Sequence, residues 1–269
     1  MKHTENMKRR MTLSFEVFPP RTEVGMNNLT GPGGVLERLC SLHPDHISCT
    51  YGAGGTSVGQ QIPILSAISA CGTMPLAHLT CVGSTREQLY DLLQSHLDRG
   101  VDHVLALRGD LPVGQDNTGG DLHYATELVR FIRESFGDRF HLSVAGSPEG
   151  HIESRSLAAD IAFLRMKQDE GANAIMTQLC WDMEQFKRWM DEIRRAGVIL
   201  PVIVGIMPIT NAASTINMAL SRNACVMPRA LCEIISRHWI FPNPFAPKED
   251  PEIIEAKKAA FEEEGFAYT

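Results

Sequence analysis

The sequence predicts an α/β fold, a (β/α)8 TIM barrel whose last βα unit is short or missing. Short apolar runs rich in β-branched residues recur along the chain, and their starts lie about 27 to 38 residues apart. This spacing fits a strand with its crossover helix and connections. Amphipathic segments separate the runs, as a parallel sheet requires. Seven evident units in 269 residues favour a barrel over a doubly wound sheet.

Seven segments are predicted to be barrel strands: Leu13 to Phe18, His46 to Tyr51, Leu76 to Cys81, His103 to Leu107, His141 to Ala145, Ala174 to Leu179 and Val202 to Met207. The helices predicted between them include Thr85 to Asp98, Leu122 to Phe136, Ser154 to Glu170 and Met183 to Ala196. Each of these helices is followed by a glycine that can adopt the left-handed conformation at a helix end. The four glycines are Gly100, Gly137, Gly171 and Gly197.

The end of the chain gives a weaker pattern. After the seventh strand we expect a helix from Met227 to Trp239, a proline-rich loop and a charged helix from about Glu252 to Glu264. Residues 266–269 are too few for a full eighth strand. We expect residues 1–269 to form a single domain in which residues 1–11 are disordered.

The composition disfavours two classes of partner. The net charge is −7, from 32 acidic and 25 basic side chains, which suits neither a nucleic-acid backbone nor an anionic membrane. No apolar run approaches the roughly 20 residues that span a bilayer, and the basic N-terminus has no secretory apolar region after it. The seven cysteines form no C-x-x-C pair, which suits a reducing compartment. We therefore expect a soluble cytoplasmic protein.

The candidate functional residues lie where strands end, because barrel active sites are built at the carboxyl ends of the strands. In chain order they are Glu16, Thr50, Tyr51, His78, Thr80, Arg108, Asp110, Glu149, His151, Gln178 and Asn211. The glycine-rich segment 52–57 follows the second strand and could present backbone N–H groups to a phosphate. It could equally be a flexible loop with a helix N-cap.

Glu16 is the most informative of these residues. It interrupts the apolar run SFEVF and would point into the barrel mouth. Partial desolvation would raise the pKa of its carboxyl group, which suits a general acid. Alternatively, Arg21 or Arg108 neutralises it. Asp110 likewise could serve chemistry at the mouth or cap a turn.

Two other kinds of chemistry are disfavoured. His43 and His46 have a metal-like spacing but lie before and at the amino end of the second strand, so we expect a surface pair and no metal site. The lysines avoid the strand ends, which argues against Schiff-base chemistry.

Six motifs occur in one order between about residues 12 and 211: SFEVFPPRT from Ser14, TYGA from Thr50, AHLTC from Ala77, ALRGDLP from Ala106, DEGAN from Asp169 with Thr177 and Gln178, and GIMP from Gly205. Together they resemble the bacterial 5,10-methylenetetrahydrofolate reductases. The resemblance implies a single flavin-binding barrel domain in which FAD takes hydride from NADH or NADPH and then reduces methylenetetrahydrofolate to 5-methyltetrahydrofolate.

The resemblance also implies roles for individual residues. Glu16 matches the general acid that helps to open the one-carbon bridge of the folate. Asp110 matches an aspartate near both the flavin and the folate pterin, and Gln178 matches a substrate-contacting glutamine. The FAD-binding positions correspond to Thr50, Tyr51, Ala53, His78, Arg108, Gly109, Asp110, Ala125, His151, Asp160 and Lys167. Family members are commonly oligomeric, so a homo-oligomer is implied.

The sequence departs from the family pattern in three places. The family's final strand, with its folate-contacting Arg, has no clear counterpart before Thr269, and two positions of the mouth differ. Ser147 replaces a tyrosine after strand 5, and Ala212 replaces an aromatic residue after strand 7.

Two other functions stay open at this point. One is a barrel lyase or hydrolase that uses Glu16 and Asp110 as paired carboxylates, and the other is a non-catalytic FAD-binding relative.

Overall fold

The computed structural model of the protein describes residues 12–51, 58–110, 119–209, 215–216 and 226–238. The predictions for residues 1–11, for the glycine-rich segment, for Asn211 and Ala212 and for residues 239–269 lie outside this part. Within it, seven strands form one sheet in the order β1 to β7, and every neighbouring pair is parallel. This sequential order is that of a (β/α) barrel and confirms the predicted fold class.

The strands are β1 Ser14–Val17, β2 His46–Cys49, β3 Met74–Thr80, β4 His103–Leu107, β5 His141–Gly146, β6 Ala174–Thr177 and β7 Val202–Ile203. The helices of the described residues are α1 Glu23–Thr30, α2 Val35–Cys40, α3 Val58–Ala70, α4 Arg86–Leu97, α5 Ala125–Phe136, α6 Leu157–Asp169, α7 Met183–Arg195 and α8 Arg229–His238, with a short 3-10 turn at Gly137–Arg139. The glycines predicted to end helices all have positive φ, between 60° and 106°.

Two element boundaries differ from the prediction for identifiable reasons. β7 has two residues because the chain leaves the ladder at Gly205, whose N–H donates a hydrogen bond to Thr177 Oγ1 at 3.0 Å. α5 begins at Ala125 because Glu127 turns back to the chain before it and accepts a hydrogen bond from the His123 N–H at 2.6 Å. Apolar periodicity alone does not reveal such side-chain contacts.

The two faces of the sheet differ in chemistry. Alternate strand residues face the helices and form the apolar core, as Ile47, Leu79 and Val144 do. The opposite face carries polar residues, including Ser48 and Ser143, which are both buried. The same face also carries buried Leu76 and Leu105, which lie beside Ser48 and Ser143 in the strand register, so the inner face mixes polar and apolar side chains. It places hydrogen-bonding groups beneath the mouth.

The amino ends of the strands hold a histidine cluster. The rings of His103 and His141 stack with centroids 4.9 Å apart. His46 is buried, and burial followed by the charge of His103 lowers the pKa of its ring. The expected surface pair of His43 and His46 is therefore wrong for His46, because the start of β2 already lies inside the fold.

Helices within the described ranges are all too short or too polar to cross a membrane.

Candidate active site

The centre of the site is the pair Glu16 and His78. They stand on β1 and β3, and their side chains meet over the intervening strand β2, with Glu16 Oε2 3.9 Å from His78 Nε2. Burial raises the pKa of the Glu16 carboxyl group, although 45% of the side chain remains exposed. Glu16 is thus a partly desolvated acid at the mouth, and not a fully buried one.

His78 is buried, and its environment keeps the ring neutral. Burial lowers the pKa of His78 to about 4, and Nε2 has no hydrogen-bond partner within the described part of the chain. The amide of Gln61 donates hydrogen bonds to the carbonyl oxygens of His78 and Cys49, both at 2.9 Å. Gln61 therefore fixes the ends of β2 and β3 beside each other. The sequence offers no separate signal for this contact, because α3 also contains Gln60, Ser66 and Ser69.

The end of β4 supplies a cation. Arg108 Nη1 donates a hydrogen bond to Glu153 Oε2 at 2.5 Å, and this bond is the main reason that the pKa of Arg108 is raised. Arg108 therefore pairs with Glu153 and does not neutralise Glu16. Sequence reasoning missed Glu153, which lies in a different loop, 45 residues further along the chain.

Gly109 and Asp110 complete this strand end. The φ of Gly109 is +91°, and a Cβ there would lie 2.5 Å from Val82 Cγ1, so only glycine fits the close approach of the two strands. Asp110 is exposed, and its negative charge contributes to raising the pKa of Arg108. The end of β4 therefore places a positive side chain, Arg108, and a negative one, Asp110, at the mouth.

The loop after β5 and helix α6 bring further predicted residues. Exposed His151 accepts a hydrogen bond at Nδ1 from the Glu153 N–H at 3.2 Å. Asp160 Oδ1 accepts one from Ser154 at 3.0 Å. Lys167 Nζ donates to the Ala145 carbonyl of β5 at 2.9 Å. Burial lowers the pKa of Lys167, and the charge of Asp160 opposes this shift.

The remaining predicted residues lie on other strand ends and helices than Glu16 and His78. Thr50 and Tyr51 directly follow β2, and the Thr50 N–H donates to the Val17 carbonyl at 3.0 Å. Burial raises the pKa of the Tyr51 hydroxyl. Gln178 is exposed just beyond β6. Ala125 begins α5, and Ala53 lies outside the described residues.

A sequence profile described as methylenetetrahydrofolate reductase matches residues 1–238. The chain belongs to the methylenetetrahydrofolate reductase family. This finding confirms the resemblance that the six ordered motifs indicated.

Named relatives agree with this membership. The chain is 38% identical over 219 residues to methylenetetrahydrofolate reductase (NADH) 1 of Arabidopsis thaliana, a match that covers 77% of this chain and 36% of the relative. It is 38% identical over 203 residues to 5,10-methylenetetrahydrofolate reductase of Pectobacterium carotovorum, covering 75% of this chain and 65% of that protein. The chain therefore spans about a third of the plant relative and about two thirds of the bacterial one.

A solved structure shares the fold. An uncharacterized protein from Clostridium thermocellum that binds two copies of 5-methyl-5,6,7,8-tetrahydrofolic acid superposes with a TM-score of 0.62 at 14% sequence identity. The match covers 94% of this chain and 82% of that protein. At this identity the likeness supports the barrel fold alone.

Membership of the methylenetetrahydrofolate reductase family implies a flavin, and the residues present fit one. The orphaned Nε2 of buried His78 lies beside the mouth and needs a polar partner. Arg108 and Lys167 are cations suited to a diphosphate and its riboses. Among the described residues no three His, Cys, Asp or Glu side chains are grouped to hold a metal ion.

Proposed function

We propose that this protein reduces 5,10-methylenetetrahydrofolate to 5-methyltetrahydrofolate, with FAD as its bound cofactor and NADH or NADPH as the electron donor. Family membership supports this activity. The observation that carries it is the Glu16 carboxyl group, which has a raised pKa and lies 3.9 Å from the neutral ring of His78 at the barrel mouth. Residues 1–269 are proposed to form a single flavin-binding domain that assembles into a homo-oligomer.

The chain's own side chains would hold the cofactor in distinct ways. Arg108 and Lys167 would bind the diphosphate and ribose oxygens, which are anionic or strongly polar acceptors. His78, with an unused ring nitrogen, would face the flavin near Glu16. Other proposed contacts come from Thr50, Tyr51, Ala53, Gly109, Asp110, Ala125, His151 and Asp160. When bound, FAD accepts a hydride from the nicotinamide in one half-reaction and passes it to the folate in the other.

Glu16 would act on the folate. Opening the one-carbon bridge leaves negative charge on a nitrogen, and a carboxylic acid held beside that atom can supply the proton. The raised pKa increases the fraction of Glu16 that is protonated near neutral pH. Since 45% of the side chain is exposed, water can return the proton after each turnover.

Asp110 and Gln178 would orient the folate. Both are exposed beyond the ends of their strands, so both can reach a ligand that enters the mouth. Carboxylate and amide groups suit the donor and acceptor edge of a pterin ring.

The first experiment is a visible absorption spectrum of the purified protein. We expect a flavin spectrum, with or without added FAD, that bleaches under anaerobic conditions when NADH or NADPH is added. Subsequent addition of methylenetetrahydrofolate should restore the oxidised spectrum. A protein that binds FAD but does not turn over any folate would instead be a non-catalytic family member. A protein that cannot bind FAD would contradict the proposal.

A further inference from the structure

Glu149 joins three segments of the chain near the mouth. It lies in the loop after β5 and is partly buried. Its Oε2 accepts a hydrogen bond from the Val226 N–H at 2.7 Å, and its Oε1 accepts one from the Cys180 thiol at 3.7 Å. Val226 precedes α8 and Cys180 follows β6. One carboxylate therefore connects the loop after β5 to two segments that are distant in sequence.

The contact with Cys180 belongs to a closed ring that hydrogen bonds and the covalent chain form together. The single proton of the Cys180 thiol is shared between Glu149 Oε1 and the carbonyl oxygen of Asp182, which lies 3.3 Å from the sulfur. Asp182 caps α7 by accepting hydrogen bonds from two backbone N–H groups of its first turn, both at 3.0 Å. One of these groups belongs to Gln185, whose side chain donates to the Pro148 carbonyl at 2.8 Å. The ring returns to Glu149, the next residue.

This ring bears directly on Gln178. The Gln178 N–H donates to the Gly146 carbonyl at 2.8 Å, which continues the hydrogen bonding of β5 and β6. Two residues later, Cys180 contacts Glu149. The exposed side chain of Gln178 is thus carried on a short segment held at both ends, by the sheet and by Glu149.

We propose that Glu149 is a positioning residue for the folate site, because its carboxylate holds the segment that presents Gln178 and ties Val226 to the same point. This inference rests on the proposed function, in which Gln178 contacts the folate.

The chemistry of the contacts requires a carboxylate. Both partners are donors, and a carboxylate accepts at both of its oxygens. Glutamine offers one acceptor oxygen and one NH2 group, so it can keep one of the two contacts. Alanine keeps neither. Glu149 also contributes to a raised pKa of the Cys180 thiol, about 11, for which burial is the main cause. The thiol is therefore protonated and available as a donor at neutral pH.

The kinetic test compares Glu149→Ala and Glu149→Gln with wild type. The KM for methylenetetrahydrofolate should rise about tenfold in the alanine variant, as expected if Gln178 loses its hydrogen bond to the folate, and by less in the glutamine variant. FAD affinity and the rate of flavin reduction by NADH should change less than about twofold, since Glu149 contacts neither Arg108 nor Glu16 in the structure. Glu184→Ala is the matched control, because exposed Glu184 on α7 pairs with Lys187. It should leave every value unchanged.

Two further measurements report on the contacts without folate. Hydrogen exchange at the Val226 amide should accelerate about tenfold in Glu149→Ala. The pH midpoint for alkylation of Cys180 by iodoacetamide, followed by mass spectrometry, should fall in Glu149→Gln because a negative charge beside the thiol is lost. The proposed contacts would be contradicted if hydrogen exchange at Val226 stayed as slow in Glu149→Ala as in wild type and the pH midpoint of Cys180 alkylation did not change in Glu149→Gln.

The outcomes separate this inference from the proposed function. If wild type turns over folate and Glu149→Ala keeps the wild-type KM, only the role of Glu149 is overturned. If wild type binds neither FAD nor folate, the proposed function fails and the folate-positioning role fails with it. If kcat and FAD affinity fell by the same factor by which KM rose, the variant would be generally unfolded. That result would also overturn a positioning role.

Discussion

Glu16 Oε2 and His78 Nε2 lie 3.9 Å apart at the mouth of the barrel, yet they are not an ion pair at neutral pH. The pKa of His78 is about 4, so its ring is uncharged there. A neutral ring cannot stabilise the Glu16 carboxylate by charge, and burial therefore raises the pKa of Glu16 without opposition from this neighbour. The pair combines a carboxyl group whose pKa is raised with a buried neutral imidazole whose Nε2 has no hydrogen-bond partner among the described residues.

The first prediction concerns Glu16→Gln. Glutamine keeps the size and polarity of the side chain but cannot donate an acidic proton. Reduction of bound flavin by NADH should stay within about twofold of wild type, whereas reoxidation by methylenetetrahydrofolate should slow by about 10²-fold or more. Anaerobic stopped-flow absorbance measures the two half-reactions separately.

Glu23→Gln is the control for this substitution, because Glu23 is an exposed carboxylate in the first turn of α1. It should resemble wild type in both half-reactions. Equal slowing of both half-reactions in Glu16→Gln would show that Glu16 binds the cofactor and is not the acid.

The second prediction concerns the stability of the same variant. A carboxyl group whose pKa is raised by folding binds its proton more tightly in the folded state. Its ionisation therefore costs stability as the pH rises from about 4.5 through the folded pKa. Glu16→Gln should melt at a higher temperature than wild type at pH 7, and this difference should shrink toward pH 4. Melting curves of both proteins between pH 4 and pH 7 measure this difference. A Glu16→Gln variant that is less stable than wild type at pH 7 would contradict the desolvation of Glu16.

The sequence sufficed to predict the barrel and the position of its mouth. A carboxylate inside the run SFEVF is identifiable because the rest of the run is apolar, and alternation along a strand places it on the inner face. The pairing of Glu16 with His78 could not be predicted in this way. It depends on the register of β1 with β2 and of β2 with β3, which is set by sheet hydrogen bonds and has no local signal.

Contacts between loops were even harder to predict from the sequence. Arg108 and Glu153 meet because two loops of irregular backbone converge, and no periodicity relates their positions. His46 was misjudged for a related reason. Its place at the amino end of a strand suggested exposure, but the neighbouring strands and their histidines cover it.

The third prediction concerns Arg133, which anchors the end of α5. Its guanidinium donates hydrogen bonds to the carbonyl oxygens of Gly171, at 2.8 Å, and of Phe140, also at 2.8 Å, and to Asn173 Oδ1 at 2.6 Å. Arg133→Met would leave the partly buried carbonyl oxygens of Gly171 and Phe140 without this donor, whereas Asn173 Oδ1 would keep the hydrogen bond that it accepts from the Leu142 N–H. We expect the free energy of unfolding to fall by about 3 kcal/mol.

Arg130→Met is the matched control on the same helix. The Arg130 side chain is 52% exposed and pairs with Glu170, and solvent screens such a surface ion pair, so its loss should lower the free energy of unfolding much less. Urea denaturation at neutral pH should therefore separate the two variants clearly. Equal losses would mean that the hydrogen bonds of Arg133 contribute no more than a surface pair.

The fourth prediction concerns acid sensitivity and His96. This residue of α4 is fully buried, and neither ring nitrogen has a hydrogen-bond partner among the residues described. Burial, with a smaller contribution from Arg99, lowers its pKa to about 4. The unfolded chain therefore binds a proton that the folded protein excludes. The contribution of neutral His96 is fully present above about pH 6.5 and is lost as the pH falls toward 4, by roughly 3 kcal/mol at most.

His96→Leu removes this titration and fills the same apolar space. Its unfolding free energy, measured by urea denaturation, should decline less between pH 6.5 and 4.5 than that of wild type. Some decline will remain, because the pKa of His78 and that of His46 are also lowered by burial. His43→Asn, at an exposed position with φ of 52° that asparagine tolerates, should keep the wild-type slope. If His96→Leu kept that slope as well, folding would not lower the pKa of the His96 imidazole, and its burial would not contribute to the acid sensitivity.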